Sequence, residues 1–193
     1  MEKDGLKKVE AILIGGSAGS LDVILRMLPD LRGDLSCSIV VILHRSTTVD
    51  NTLVDLLSSR TALMVKEAEE KEKILPGIIY IAPPDYHLLV EDDRSFSLDF
   101  SEKILYSRPA IDVTFQTAAD VYKSSLVAVL LSGANADGSE GLVAVQDAGG
   151  LTIVQDPADA EINYMPHQAL LKMSPDYILK KADLAGFINR LPF

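Results

Sequence analysis

Cysteine is almost absent. One cysteine in 193 residues excludes an internal disulfide, and a chain of this length buries enough apolar surface to fold without one. Cys37 lies in the apolar run 37–43, so it reads as a small buried hydrophobe rather than a reactive thiol. Basic residues are in deficit: 18 Lys and Arg stand against 28 Asp and Glu, a formal net charge of −10. Lys and Arg are nowhere clustered, and nucleic-acid binding requires such clusters to neutralise phosphates, so that class of partner is excluded. Although 48% of the residues are hydrophobic, no apolar run approaches the ~20 residues of a membrane span. The N-terminal stretch MEKDGLKKVE also lacks the apolar segment of a signal peptide. These absences point to a soluble cytoplasmic protein whose partners are proteins or small molecules. The densest charge run, Lys66 to Lys73 (KEAEEKEK), mixes both signs and reads as solvated surface. With no internal repeat and no low-complexity linker, residues 1–193 are expected to form one domain.

What is present is alternation. Runs 11–14, 38–43, 126–131 and 151–154 are nearly all apolar, as expected of strands buried on both faces. Between them, segments 21–28, 52–57, 111–122, 141–148 and 167–173 repeat apolar residues every three to four positions, the period of a helix. The alternation predicts a doubly wound α/β fold, a mostly parallel sheet covered by helices on both faces. Three shorter β-type runs, 78–82, 86–91 and 95–100, are joined by Pro83-Pro84-Asp85 and Asp92-Asp93. They predict a small antiparallel extension at the sheet edge.

The chemistry concentrates where these strands end. Gly15-Gly16-Ser17-Ala18-Gly19 runs from an apolar strand into a helix and fits a nucleophile elbow, in which small neighbours permit the tight turn that lifts a serine hydroxyl. Backbone N–H groups at the start of the next helix, Ala18 among them, are candidates to stabilise an oxyanion. The same glycine-rich turn also suits phosphate, so alone it leaves both readings open. His44 directly follows run 38–43, and run 126–131 ends in Ser132-Gly133-Ala134-Asn135-Ala136-Asp137-Gly138. Asp137 either caps the helix that follows or supplies the carboxylate that orients an imidazole. Serine, histidine and aspartate at three strand ends favour a Ser17–His44–Asp137 triad, because serine is a weak nucleophile without a base. His87 and His167 lack such placement and read as structural.

The chain order Ser, His, Asp differs from that of α/β-hydrolases. Five ordered blocks carry a more specific likeness: Ile14-Gly15-Gly16-Ser17-Ala18-Gly19; Leu43-His44-Arg45; residues 75–87 (LPGIIYIAPPDYH); Arg108-Pro109-Ala110-Ile111-Asp112-Val113; and residues 132–138. With these the chain resembles the catalytic domain of CheB-type chemotaxis protein-glutamate methylesterases over roughly residues 9–191. The resemblance implies an enzyme that hydrolyses glutamate γ-methyl esters on chemoreceptors, possessing in some relatives a glutamine deamidase activity, and needing no cofactor or metal. It implies the same triad, an oxyanion contact from the Ala134 N–H, and no receiver domain within this chain. Arg45 and Arg108 are candidate contacts to acidic receptor helices. Three departures stand out: Ala18 replaces a threonine usual after the nucleophile, removing a hydroxyl; Ser20 replaces a glycine; and the loop's usual Gly-Met-Gly-Asn-Asp-Gly reads Gly133-Ala134-Asn135-Ala136-Asp137-Gly138. A catalytically silent partner-binding relative is the alternative this departure motivates, and a phosphate or nucleotide binder would leave His44 and Asp137 without a role.

Overall fold

The computed structural model describes residues 8–45 and 52–193. Residues 1–7, part of the stretch inspected above for a signal peptide, and residues 46–51 lie outside the described part. In chain order the elements are β1 (Ala11–Gly16), α1 (Ser20–Met27), β2 (Ser38–Leu43), α2 (Thr52–Ser58), β3 (Met64–Glu67), β4 (Ile78–Ile81), β5 (His87–Val90), β6 (Phe96–Asp99), α3 (Ile111–Tyr122), β7 (Leu126–Leu130), α4 (Ser139–Asp147), β8 (Leu151–Gln155), α5 (Tyr164–Lys172), β9 (Tyr177–Leu179) and α6 (Leu184–Asn189).

Seven strands form one sheet in the order β3-β4-β2-β1-β7-β8-β9, every pairing parallel. The near-continuous apolar runs follow from its two cores. Successive side chains point to opposite faces, so Ile12, Ile14, Ile39, Val41, Val127 and Val129 enter one core, which α1 and α6 cover with Val23, Ile24, Leu184 and Ile188. Leu13, Val40, Ile42, Ala128 and Leu130 enter the other, covered by Ile111 and Phe115 of α3, Leu142 and Val145 of α4, and Met165 of α5. A strand with both faces buried has no position left for alternating polar residues.

The antiparallel element is present but smaller than expected. β5 and β6 form their own two-stranded sheet, whereas Ile78–Ile81 joins the main sheet in parallel between β2 and β3. Tyr80 and Ile81 are completely buried there, and that burial decides the pairing. Residues 66–67 of the charge run belong to β3, an edge strand with half-buried and exposed positions, where charged side chains are tolerated and discourage further strand pairing. Burial also pushes the Cys37 thiol up to about 12, so it is an inert hydrophobe, as the sequence indicated.

The topology fixes where a site can lie. β1 is central, with β2 on one side and β7 on the other, and the chain's direction of winding reverses there. In open parallel sheets a ligand crevice opens outside the carboxyl ends of strands at such a reversal. Ser17, His44 and the 132–138 loop follow these three strands.

Candidate active site

β1 and β2 pair in register Gly16↔Leu43, and the His44 N–H donates to the Gly16 carbonyl at 3.2 Å. Ser17 and His44 therefore leave adjacent strand ends side by side. The elbow is stitched to the β7 loop: the Ser17 N–H donates to Ser132 O at 2.9 Å, and Ser132 Oγ donates to Ala18 O at 2.8 Å. Gly133 lies so close that a Cβ there would fall 3.0 Å from Ser17 Cβ and 2.7 Å from Met165 Cε. Ser20 Oγ, at the first residue of α1, donates back to Ser17 O at 2.5 Å. Ala18 and Ala134 are exposed residues, and their N–H groups carry no hydrogen bond among the described residues.

Asp137 is completely buried and accepts four hydrogen bonds. Oδ2 takes His44 Nε2 at 2.8 Å and the Ile111 N–H at 2.6 Å; Oδ1 takes the Asp112 and Gly138 N–H groups, each at 2.9 Å. α3 begins at Ile111 and its own N-cap, Ala110, has no side-chain cap. Asp137 thus caps α3 from a distant loop, and the helix's positive end meets a negative charge. It does not cap α4 through its side chain: α4 starts after Gly138, whose φ of 92° suits glycine. A Cβ there would also meet Leu130 Cδ1 at 2.5 Å.

The carboxylate fixes the histidine tautomer. An ionised carboxylate only accepts, so His44 Nε2 carries the proton and Nδ1 is the basic nitrogen. Among the described residues, Nδ1 is bonded to Ser107 Oγ at 3.2 Å, and no hydrogen bond joins it to Ser17 Oγ. The Asp–His half of the expected arrangement is therefore formed, and the Ser–His contact is not. Ser107 carries no sequence signal of its own, and the five blocks do not disclose the roles of Asn135 and the α3 amides. Ser107 lies in an irregular stretch without periodicity, and only its position just before the Arg108-Pro109 block could have drawn attention.

The two candidate arginines are already engaged. Arg45 forms an ion pair with Glu67. Arg108 Nη2 donates to Asp85 Oδ1 at 2.7 Å and Nη1 to Ser101 O at 2.7 Å, and the guanidinium lies 3.8 Å from the Phe100 ring centroid. His87 is buried: its Nδ1 accepts the Ala110 N–H at 3.1 Å and its Nε2 is 2.9 Å from Glu102 O. That is a structural role. His167 is exposed on α5. No group of three or more His, Cys, Asp or Glu side chains among the described residues is placed to hold a metal ion, and no helix among them is long and apolar enough to cross a membrane.

A second carboxyl sits behind the first. Burial, and then the nearby charge of Asp137, push Asp112 up from 3.8 to about 6, against the opposing pull of the Gly141 N–H. Because the folded value lies above the unfolded one, the protonated form favours folding. Its stabilising contribution is complete below about pH 4 and is lost as pH rises through about 6. Asp112→Asn, whose amide oxygen can still accept from Gly141, is expected to gain stability relative to the parent between pH 4.5 and pH 7.5. Urea midpoints at the two pH values check this, and parallel pH dependence of both proteins would contradict it.

Comparison with known proteins adds the following. Residues 12–188 match the family described as CheB methylesterase. A protein of Leptospira interrogans, provisionally named protein-glutamate methylesterase/protein-glutamine glutaminase, is 43% identical over 182 residues, covering 94% of each chain. The protein-glutamate methylesterase/protein-glutamine glutaminase of Thermotoga maritima is 38% identical over 174 residues, 87% of this chain but 50% of that protein. The crystal structure of the Thermotoga maritima CheB methylesterase catalytic domain matches with a TM-score of 0.89 at 33% identity, over 95% of this chain and 98% of that one.

Proposed function

The chain belongs to the CheB methylesterase family, and from that premise we propose that it is a serine hydrolase that demethylates glutamate γ-methyl esters on chemoreceptor proteins, using Ser17, His44 and Asp137. The observation that carries the site is the buried Asp137 carboxylate on His44 Nε2, which leaves Nδ1 as a base beside the strand end that bears Ser17. His44 Nδ1 takes the Ser17 proton as Ser17 Oγ attacks the γ-carbonyl. The N–H groups of Ala18 and Ala134 are the candidate donors to the resulting oxyanion. The imidazolium then protonates the methoxy oxygen, methanol leaves, and water, deprotonated by the same nitrogen, releases glutamate and restores Ser17. With glutamine as substrate the identical sequence releases ammonia, which accounts for the double name of the relatives.

The candidate substrate side is an exposed rim of apolar side chains beside the 132–138 loop. Leu105, Tyr106, Tyr164 and Leu171 are all solvent-exposed, and a groove of about 350 Å³ is lined by Leu105, Ala136 and Leu171 together with the charged Asp112, Glu140 and Lys172. Exposed apolar side chains of this kind suit a protein partner. Arg45 and Arg108 contribute to binding only by exchanging their present carboxylate partners for those of a receptor. We place the enzyme in the cytoplasm with its receptors' cytoplasmic helices.

One observation favours the silent partner-binding alternative: His44 Nδ1 is held by Ser107 rather than Ser17. Incubation with methylated receptor cytoplasmic fragments separates the readings. Methanol release, with a fluorophosphonate label mapping to Ser17, supports the enzyme. Stable binding without methanol or label supports the scaffold.

A further inference from the structure

A neutral imidazole has one acceptor nitrogen with a single lone pair, so one hydroxyl at a time makes a good hydrogen bond to it. In this fold Ser107 Oγ is bonded to His44 Nδ1 at 3.2 Å, and Ser17, at the neighbouring strand end, needs the same lone pair if His44 is its base. We propose that Ser107 is a positioning residue that caps the basic nitrogen of His44 in the resting protein, so that Ser17 becomes a nucleophile only by displacing it. The proposal rests on His44 being the base for Ser17.

The direction of the bond follows from its neighbours. His44 Nε2–H is spent on Asp137 Oδ2, so Nδ1 accepts and Ser107 O–H donates. Asn135 Nδ2 lies 3.4 Å from Ser107 Oγ and donates to it, which leaves the Ser107 proton to point at the imidazole. The same amide group donates to Leu105 O at 2.7 Å, and its Oδ1 accepts the Asp137 N–H at 2.8 Å. Asn135 therefore ties the Ser107 turn directly to the loop that carries the triad carboxylate.

The turn itself is held in an unfavourable shape. Ile104 and Ser107 exchange both backbone hydrogen bonds, at 3.1 and 2.8 Å. The two residues between them, Leu105 and Tyr106, have φ of 47° and 65°. Tight hairpin turns with positive φ at both central positions select Asn-Gly or Asp-Gly, and bulky side chains there are strained. Tyr106 is 96% exposed, so packing of its side chain does not compensate. What the turn achieves is delivery of the Ser107 hydroxyl to Nδ1, and strain kept for such a purpose collects at functional sites. The chain has no hydroxyl at Ala18, next to the nucleophile, and Ser107 brings one from another direction.

The cap competes with Ser17, so removing it raises the reactivity of the nucleophile. Ser107→Ala is expected to accelerate acylation of Ser17 by a small fluorophosphonate about fivefold, the factor equivalent to one ordinary hydrogen bond. In the protein labelled with 15N-histidine, the Nδ1 resonance of His44 moves in this variant to that of an unbonded acceptor while the Nε2 proton persists. Ser107→Thr, which keeps the hydroxyl, restores both. Slower or unchanged labelling of folded Ser107→Ala, or an Nδ1 signal that the substitution leaves in place, overturns the proposal. The parent protein supplies a check that needs no variant: a free-acceptor Nδ1 signal before any reagent is added also overturns it. Labelling that survives in Ser17→Ala would instead refute the assignment of the nucleophile, and the resonance measurement would still decide whether Ser107 caps His44.

Discussion

Asp137→Asn is expected to lower ester hydrolysis by about 10⁴-fold, with a stability loss accompanying it. The carboxylate accepts four hydrogen bonds and donates none. An amide in its place turns two N–H groups toward a cluster of N–H donors. If its oxygen stays with the Asp112 and Gly138 amides, its nitrogen faces both His44 Nε2 and the Ile111 N–H, and the imidazole adopts the other tautomer with the proton on Nδ1. That nitrogen then has no lone pair for the Ser17 proton. Asp137→Ala removes the conflict and the acceptor together, leaving the Ile111, Asp112 and Gly138 amides without their partner. A buried amide left unsatisfied costs about 1–3 kcal/mol. A total near 3 kcal/mol lowers Tm by roughly 6–12 °C in a domain of this size. Thermal melts and methanol release, measured on the same preparations, check both effects. A variant with parental Tm would mean that these amides find other acceptors.

Ser17→Ala gives the opposite pairing: hydrolysis falls by at least about 10⁴-fold while the fold is untouched. The Ser17 hydroxyl makes no hydrogen bond among the described residues, and the backbone bonds that shape the elbow, Ser17 N–H to Ser132 O and Ser20 N–H to Ser17 O, survive the substitution. A stability change within about 0.5 kcal/mol is expected, as for a site with no buried partner to strand. Retention of hydrolysis in this variant would transfer the nucleophile's role elsewhere, and a large loss of Tm would show that the hydroxyl is structural.

The framework of the site was readable because its strands are buried on both faces. Runs 11–14, 38–43 and 126–131 announce themselves by continuous apolar character, and each leads straight into Ser17, His44 or the Asp137 loop. β3 was hidden because an edge strand need not be apolar: Met64 is 62% exposed, and Lys66 and Glu67 belong to what reads as a charged surface run. β4 was assigned to the antiparallel element because its short run resembles its neighbours, and only burial between β2 and β3 distinguishes it. The second function of Asp137 was illegible for another reason. A cap is usually sought within the first residues of its own helix, and this one reaches back 25 residues to Asp112. Ser107 was harder still, since a hydroxyl brought by a strained turn leaves no periodic trace.

The start of α3 has a consequence for the order in which the chain consolidates. Its first amides are held from outside: Ala110 by His87, and Ile111 and Asp112 by Asp137. His87 precedes the helix in the chain, whereas Asp137 is synthesised after it. During synthesis from the amino end, the first turn of α3 therefore has its earlier partner while still waiting for the later one. The 132–138 segment supplies both the last acceptor for that turn and the carboxylate for the imidazole, so the start of the helix and the Asp–His pair depend on one side chain.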